Sequence, residues 1–325
     1  MSDYESCDTL MVKIPMRNMT QSKGYKFYIP NPSRQIHYYA IYAIDEGGFG
    51  QVWSGISGTG VSIAIKITKP TLDPLRDLKS WFTEQYIHLK CLNHPHIVRT
   101  FDQFISPEGA LVIVMEKAEG SLENLVCNGK LFDPMEVCAI GTQILSALDY
   151  IHKLGVIHRD VTLKNILFFP NGVFKLADFG ISKQDIAKNE LARTFIGQKT
   201  FIPPELWSLG YSSQQCDIYQ MGLVLLTLLT GRYPIPANAT VEETRRMILE
   251  GIPRQIAESL INNHGRLAEI LSIMLRRRDA WRYKTAMDAW NDLYKEFEQR
   301  KKLKEIAESL WKQLPPQLLP RLLGR

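Results

Sequence analysis

Cysteine is scarce and scattered. The five residues Cys7, Cys91, Cys127, Cys138 and Cys216 are odd in number and form no C-x-x-C pair. Neither a disulfide framework nor a thiolate zinc site is expected from that spacing, and the expected compartment is the cytoplasm or the nucleus. Long apolar runs are missing too. The strongest, Met221 to Leu229, is far short of the roughly 18 residues a bilayer span needs and is interrupted by Gly222 and Thr227. The N-terminus carries Asp3 and Glu5 where a secretory leader would be basic and then apolar. No internal repeat or low-complexity tract occurs. Charge imbalance is confined to one place. Of 39 Lys and Arg and 34 Asp and Glu, the stretch 299–325 holds seven bases and two acids, so the other 298 residues carry 32 of each sign. That neutral bulk makes nucleic acid an unexpected partner.

What is present is ordinary globular composition, with 45% hydrophobic and 22% charged residues. Residues 1–37 show no sustained period and read as an extension, loosely ordered or lying on the domain surface. From Tyr38 the texture is β-rich. Tyr38 to Ile44, Gln51 to Ile56, Val61 to Thr68, Thr100 to Phe104 and Leu111 to Met115 read as strands. Between them Leu78, Phe82, Leu89 and Leu92 recur at helical spacing. After Gly120 the pattern is mostly helical. Glu136 to Leu154 is a long amphipathic segment, and Met221 to Leu229, apolar on nearly every face, reads as a buried helix. Strands first and helices after suggest an α+β protein in two lobes.

Three local patterns carry chemistry. The first is Asp45-Glu46-Gly47-Gly48-Phe49-Gly50-Gln51-Val52, with Ala64-Ile65-Lys66 downstream. The second is His158-Arg159-Asp160-Val161-Thr162-Leu163-Lys164-Asn165, and the third is Asp178-Phe179-Gly180 followed by Pro203-Pro204-Glu205. Glycines at a hairpin tip let backbone approach phosphate. A lysine in an apolar strand needs a buried anion. Carboxylate and amide oxygens suit a hard cation such as Mg²⁺. A site for phosphoryl transfer needs all three.

In this order the patterns resemble the eukaryotic-type protein kinases over residues 38–297. The resemblance implies a bilobal α+β kinase fold, with a small β-rich N-lobe at 38–116 and a larger helical C-lobe at 119–297. It implies ATP and Mg²⁺ as cofactors, a protein substrate, and transfer of the γ-phosphoryl group to Ser or Thr. Asp160 matches the catalytic base, Asn165 and Asp178 the metal ligands, and Lys66 the lysine that holds the α- and β-phosphates. Ile44, Val52, Ala64 and Leu167 would sandwich the adenine, and Met115 would close the back of its pocket. Glu116, Lys117 and Ala118 would be the hinge. Asp217 would hold the catalytic loop, and Glu205 with Arg282 would form a buried ion pair. Thr194 matches the activation-segment phosphosite, whose phosphate would meet Arg159.

The sequence also departs from the family. Asp45 stands where the first loop glycine is usual. The helix glutamate that partners Lys66 falls at Glu84 or at Gln85, with the cost of a buried lysine favouring Glu84. Thr162 replaces the usual lysine of Ser/Thr-specific members. Gln198 and Phe201 replace the usual threonine and tyrosine where an acceptor peptide rests. A nucleotide-binding pseudokinase, acting as scaffold or switch, is the alternative these departures leave open. The basic stretch 298–325 places Leu303, Ile306, Leu310 and Trp311 near helical spacing beside Arg300, Lys301, Lys302 and Lys304. It reads either as a helix packed on the large lobe or as a contact for an anionic partner or membrane surface.

Overall fold

The computed structural model describes residues 27–31, 36–47, 50–68, 93–106, 110–178 and 199–313. The chain divides into two compact units, the first comprising residues 1–120 with 167–171 and the second the remainder.

The first unit is built on a six-stranded sheet. Its strands are β1 (Phe27–Asn31), β2 (Ile36–Gly47), β3 (Gly50–Ser57), β4 (Ser62–Thr68), β5 (Thr100–Ile105) and β6 (Leu111–Glu116), in the order β1-β2-β3-β4-β6-β5. All described pairings are antiparallel. Directly opposed residues share a face and successive residues alternate, so the register sorts the side chains. Trp53, Ile65 and Val114 lie across from one another, as do Gly55 and Ile63, and this face forms the core with Ile29, Tyr38, Ala40, Phe104 and Val112. The other face carries Val52 opposite Lys66, Lys66 opposite Ile113, and Ala64 opposite Met115.

One acid is placed on the core face. Asp102 lies opposite Val114 and is buried. A buried carboxylate is costly unless it is hydrogen-bonded. Asn31 Nδ2 and the Tyr38 hydroxyl each donate to its Oδ2 at 2.7 Å, and Gln103 N donates to Oδ1 at 2.9 Å. Asn31 comes from β1, a strand within the stretch whose sequence shows no period. Three strong β formers, Phe27, Tyr28 and Ile29, followed at once by Pro30 and Asn31, are too short a run to give a clear strand signal, and the pairing with β2 supplies the rest.

The second unit is helical. After β7 (Gly120–Ser121) come α1 (Leu122–Cys127) and α2 (Pro134–Lys153). Two short strands follow, β8 (Ile166–Phe169), whose last three residues belong to the first unit, and β9 (Val173–Leu176). The remaining helices are α3 (Pro204–Ser208), α4 (Gln214–Thr230), α5 (Val241–Glu250), α6 (Ile252–Ser259), α7 (Ile261–His264), α8 (Arg266–Met274) and α9 (Ala286–Gln313). Asp133 caps α2 by accepting from the N–H groups of Met135 and Glu136, and Glu136 returns a bond to Asp133 N. Every residue of α4 from Cys216 to Leu228 is buried, as its apolar circumference predicts.

Helix α2 packs against α4 and α9. Gly141 permits the close approach, because a Cβ there would lie 2.3 Å from Leu293 Cδ2 and 3.1 Å from Leu225 Cδ1. Helix α9 passes position 298 without a break. Glu296, buried, pairs with Arg300 at 2.7 Å, and Arg300 also donates to His264 O. From Lys301 to Ser309 every residue is exposed, Leu303 and Ile306 included. No helix among the described residues is long and apolar enough to cross a membrane.

Candidate active site

In the first unit, one face of the sheet carries Lys66. The hairpin between β2 and β3 closes with Gly47 opposite Gly50 and Asp45 opposite Val52. Gly50 is required by its neighbour strand: a Cβ would lie 2.2 Å from the backbone oxygen of Ile67. The sheet itself therefore demands this glycine, whatever approaches the hairpin from outside. Gly48 and Phe49 lie outside the described residues, as do Glu84, Gln85, Phe179, Gly180, Thr194 and Gln198. Lys66 is half-buried between Val52 and Ile113. Ala64 is buried, Val52, Met115 and Leu167 half-buried, and Ile44 exposed.

The segment after β6 is pinned at both ends. Glu116 N donates to Arg99 O at 3.0 Å, and Glu116 Oε1 accepts from Arg99 N at 2.7 Å. Lys117 Nζ donates to the Tyr42 hydroxyl at 3.1 Å and lies 5.2 Å from the centre of its ring. Hydrogen bonds from Ser54 and Lys117 hold that phenol below its ordinary pKa. Glu119 N donates to Phe168 O.

In the second unit, α4 holds the loop His158–Asn165. Asp217, fully buried, accepts from His158 N and Arg159 N through its two oxygens at 2.8 and 2.7 Å, and contacts His152 Nε2 at 2.8 Å. Arg159 has φ 68°, a left-handed conformation that a side chain tolerates only when its surroundings fix it. Asp217 is that fixture. His158 is buried, with Nε2 3.1 Å from Ala177 O and Nδ1 accepting from Asp160 N at 3.3 Å. Both ring nitrogens are satisfied in the neutral, Nε2-protonated form. Burial pushes its pKa down, and the nearby Asp217, Asp160 and Asp178 offset only part of that.

Asn165 is buried and donates from Nδ2 to both the backbone oxygen and Oδ2 of Asp160, each at 2.9 Å. Its nitrogen is committed, and its oxygen remains as a donor atom for a hard cation. Asn165 O accepts from Ala177 N at 2.8 Å, which ties the loop to the residue before Asp178. Asp178 is exposed and has φ 61°. The loop thus gathers Asp160, Asn165 and the backbone leading to Asp178. Thr162 is buried, and its hydroxyl has no hydrogen-bond partner among the described residues, so position 162 projects nothing outward.

Glu205 and Arg282 form a bidentate pair at 2.7 and 2.8 Å, with side chains 3% and 0% exposed. Arg282 also donates to the backbone oxygens of Arg276, Gln215 and Arg277, and its guanidinium carbon lies 4.7 Å from the ring centre of Tyr219. The Cys216 thiol donates to Glu205 Oε1 at 2.9 Å, and burial together with that carboxylate raises its pKa. Sequence reading missed Gln220, His152, Cys216 and the Asn31–Tyr38–Asp102 group. Gln220 did carry a signal, the single amide in the buried stretch Cys216–Leu228 of its helix.

The family model described as a protein kinase domain matches residues 38–316. Among curated proteins the chain is 31% identical over 217 residues to sperm motility kinase Z of Mus musculus, covering 64% of this chain and 41% of that protein. It is 29% identical over 216 residues to serine/threonine-protein kinase TIO of Arabidopsis thaliana, covering 66% and 16%. A probable serine/threonine-protein kinase of Clostridium perfringens is 28% identical over 263 residues, covering 79% and 38%. The chain spans less than half the length of these relatives. The crystal structure of Rad53 1–466 in complex with AMP-PNP matches with TM-score 0.63 and 26% identity, over 77% of this chain and 62% of that one.

Proposed function

The chain belongs to the protein kinase family, and on that premise we propose that it transfers the γ-phosphoryl group of Mg·ATP to serine and threonine hydroxyls of protein substrates. The observation that carries this reading is the fixation of Asp160. Its N–H is bound by His158, its carbonyl and one carboxylate oxygen by Asn165, and the preceding peptide by Asp217. A carboxylate oriented this way is suited to accept the proton of an acceptor hydroxyl. Mg²⁺ would be held by the Asn165 oxygen and the Asp178 carboxylate, and it would neutralise charge on the phosphates. Lys66 would meet the α- and β-phosphates. The face around Ala64, Val52 and Met115 would take the adenine, and Glu116 and Ala118 would offer backbone groups to its edge. The names of the relatives support serine and threonine as acceptors.

The test is incubation of the full chain with Mg·ATP and a degenerate Ser/Thr/Tyr peptide mixture, with phosphorylated residues identified by mass spectrometry. Phosphoserine and phosphothreonine are expected. Phosphotyrosine alone would overturn the acceptor class. Nucleotide binding with no transfer would favour the scaffold that Thr162 and Asp45 leave open.

For the exposed turns of α9 we propose contact with an anionic lipid surface. At about 100° per residue, Leu303, Ile306 and Ala307 share one stripe, Lys302 and Lys304 flank it, and Glu305 and Glu308 fall on the opposite side. An apolar stripe edged by lysine matches the two-part chemistry of anionic headgroups over acyl chains.

A further inference from the structure

The side-chain amide of Gln220 joins three backbone groups from two segments that chain order keeps about 40 residues apart, Arg159–Val161 and Phe201. Gln220 is buried on α4, three residues after Asp217 and hence on the same face. Its Oε1 accepts from Val161 N at 3.1 Å. Its Nε2 donates to Arg159 O and to Phe201 O, each at 3.1 Å. Arg159 and Val161 bracket Asp160. Phe201 ends the short 3₁₀ turn Lys199–Phe201 and is itself buried, its ring edge-on to Tyr233 at 6.4 Å. That turn is the place where the family resemblance rests an acceptor peptide.

We infer that Gln220 is a positioning residue that fastens the acceptor-binding turn to the loop carrying Asp160. The inference rests on the kinase reading of Asp160 and adds to it a device that sets the acceptor against the base. The chemistry required is narrow. One backbone N–H needs an acceptor and two carbonyls need donors, all at the end of one side chain. A primary amide supplies one oxygen and two N–H groups. A carboxylate of the same shape would satisfy Val161 N and repel both carbonyls. An apolar chain of the same length would leave all three backbone groups without their partner, while fitting the apolar helix around it.

Two variants of the full chain test this, Gln220→Met and Gln220→Glu. The measurements are steady-state kcat and KM for the acceptor peptide, KM for ATP, and amide hydrogen exchange of peptides covering 159–163 and 199–203. In Gln220→Met the acceptor KM should rise about tenfold, while KM for ATP stays within about twofold. Exchange should quicken in both peptides together. In Gln220→Glu the same rise should shrink as pH falls, because the protonated acid regains one donor. A role in packing alone would lower thermal stability and leave the acceptor KM where it was, and that result overturns the inference. Should Gln220→Met not fold, Gln220→Glu carries the same comparison. A wild type that transfers no phosphate overturns the underlying kinase reading. Active wild type with unchanged acceptor KM in the variants overturns only the role of Gln220.

Discussion

Arg282 shows how much a single buried charge can hold. Its donors reach Glu205 and three backbone carbonyls, and its guanidinium carbon lies over the Tyr219 ring. Removing one member of a buried pair leaves the other charge without compensation, at a cost of about 3–5 kcal/mol. Arg282→Ala should therefore lower the unfolding free energy by about that much in urea titration, and Arg282→Lys should recover only part, since an ammonium cannot reproduce the fork. A loss below about 1 kcal/mol would class the pair with exposed ones. His158 makes a second prediction. Its folded pKa is depressed by burial. The unfolded chain binds a proton near pH 6.5 while the folded one resists it, so this contribution is present above about pH 6.5 and is lost as pH falls below it. Between about pH 6.5 and 5.5 the wild type should lose stability more steeply than His158→Gln, by up to about 1.4 kcal/mol per pH unit. Equal slopes would show that the ring takes its proton in the folded state.

At the scale of elements, α4 is both the core of the second unit and the holder of its chemistry. Its apolar residues bury it, and Asp217 and Gln220 then face the loop because they are three apart. The sequence pattern made the buried helix legible, and the family motif made Asp217 legible. Gln220 lies within the stretch Asp217–Gly222 that carries that motif, but the motif assigns a role to Asp217 alone, and the three partners of Gln220 come from loop conformations that no periodicity encodes. Strand β1 was illegible for a related reason: its stability comes from pairing with β2 and from the Asn31–Asp102 bond, 71 positions apart. Elements with a clear period fared better, as with β4, expected at 61–68 and observed at Ser62–Thr68. Helix α9 carries its own prediction. The wild type should sediment with phosphatidylcholine vesicles containing phosphatidylserine and be released by salt, and Leu303→Asp/Ile306→Asp should not sediment. Equal binding to purely neutral vesicles, or none to either, would remove the lipid contact.

At the scale of the whole molecule, the residues proposed for the chemistry come from both units. Lys66, the sheet face proposed for adenine and the pinned segment Glu116–Ala118 belong to the first, and Asp160, Asn165 and Asp178 to the second. The motifs were legible in the sequence because each is short and keeps its own spacing. Substrate choice is another matter, since it depends on side chains that no motif constrains. The most direct test of the central claim measures nucleotide affinity and phosphoryl transfer on the same preparations of wild type and Asp160→Asn. The account predicts matching affinity for Mg·ATP, transfer by the wild type, and a loss of about 10²-fold or more in kcat for the variant, the range of a missing general base. Undiminished transfer by Asp160→Asn, or a wild type that binds Mg·ATP and never turns it over, would contradict it.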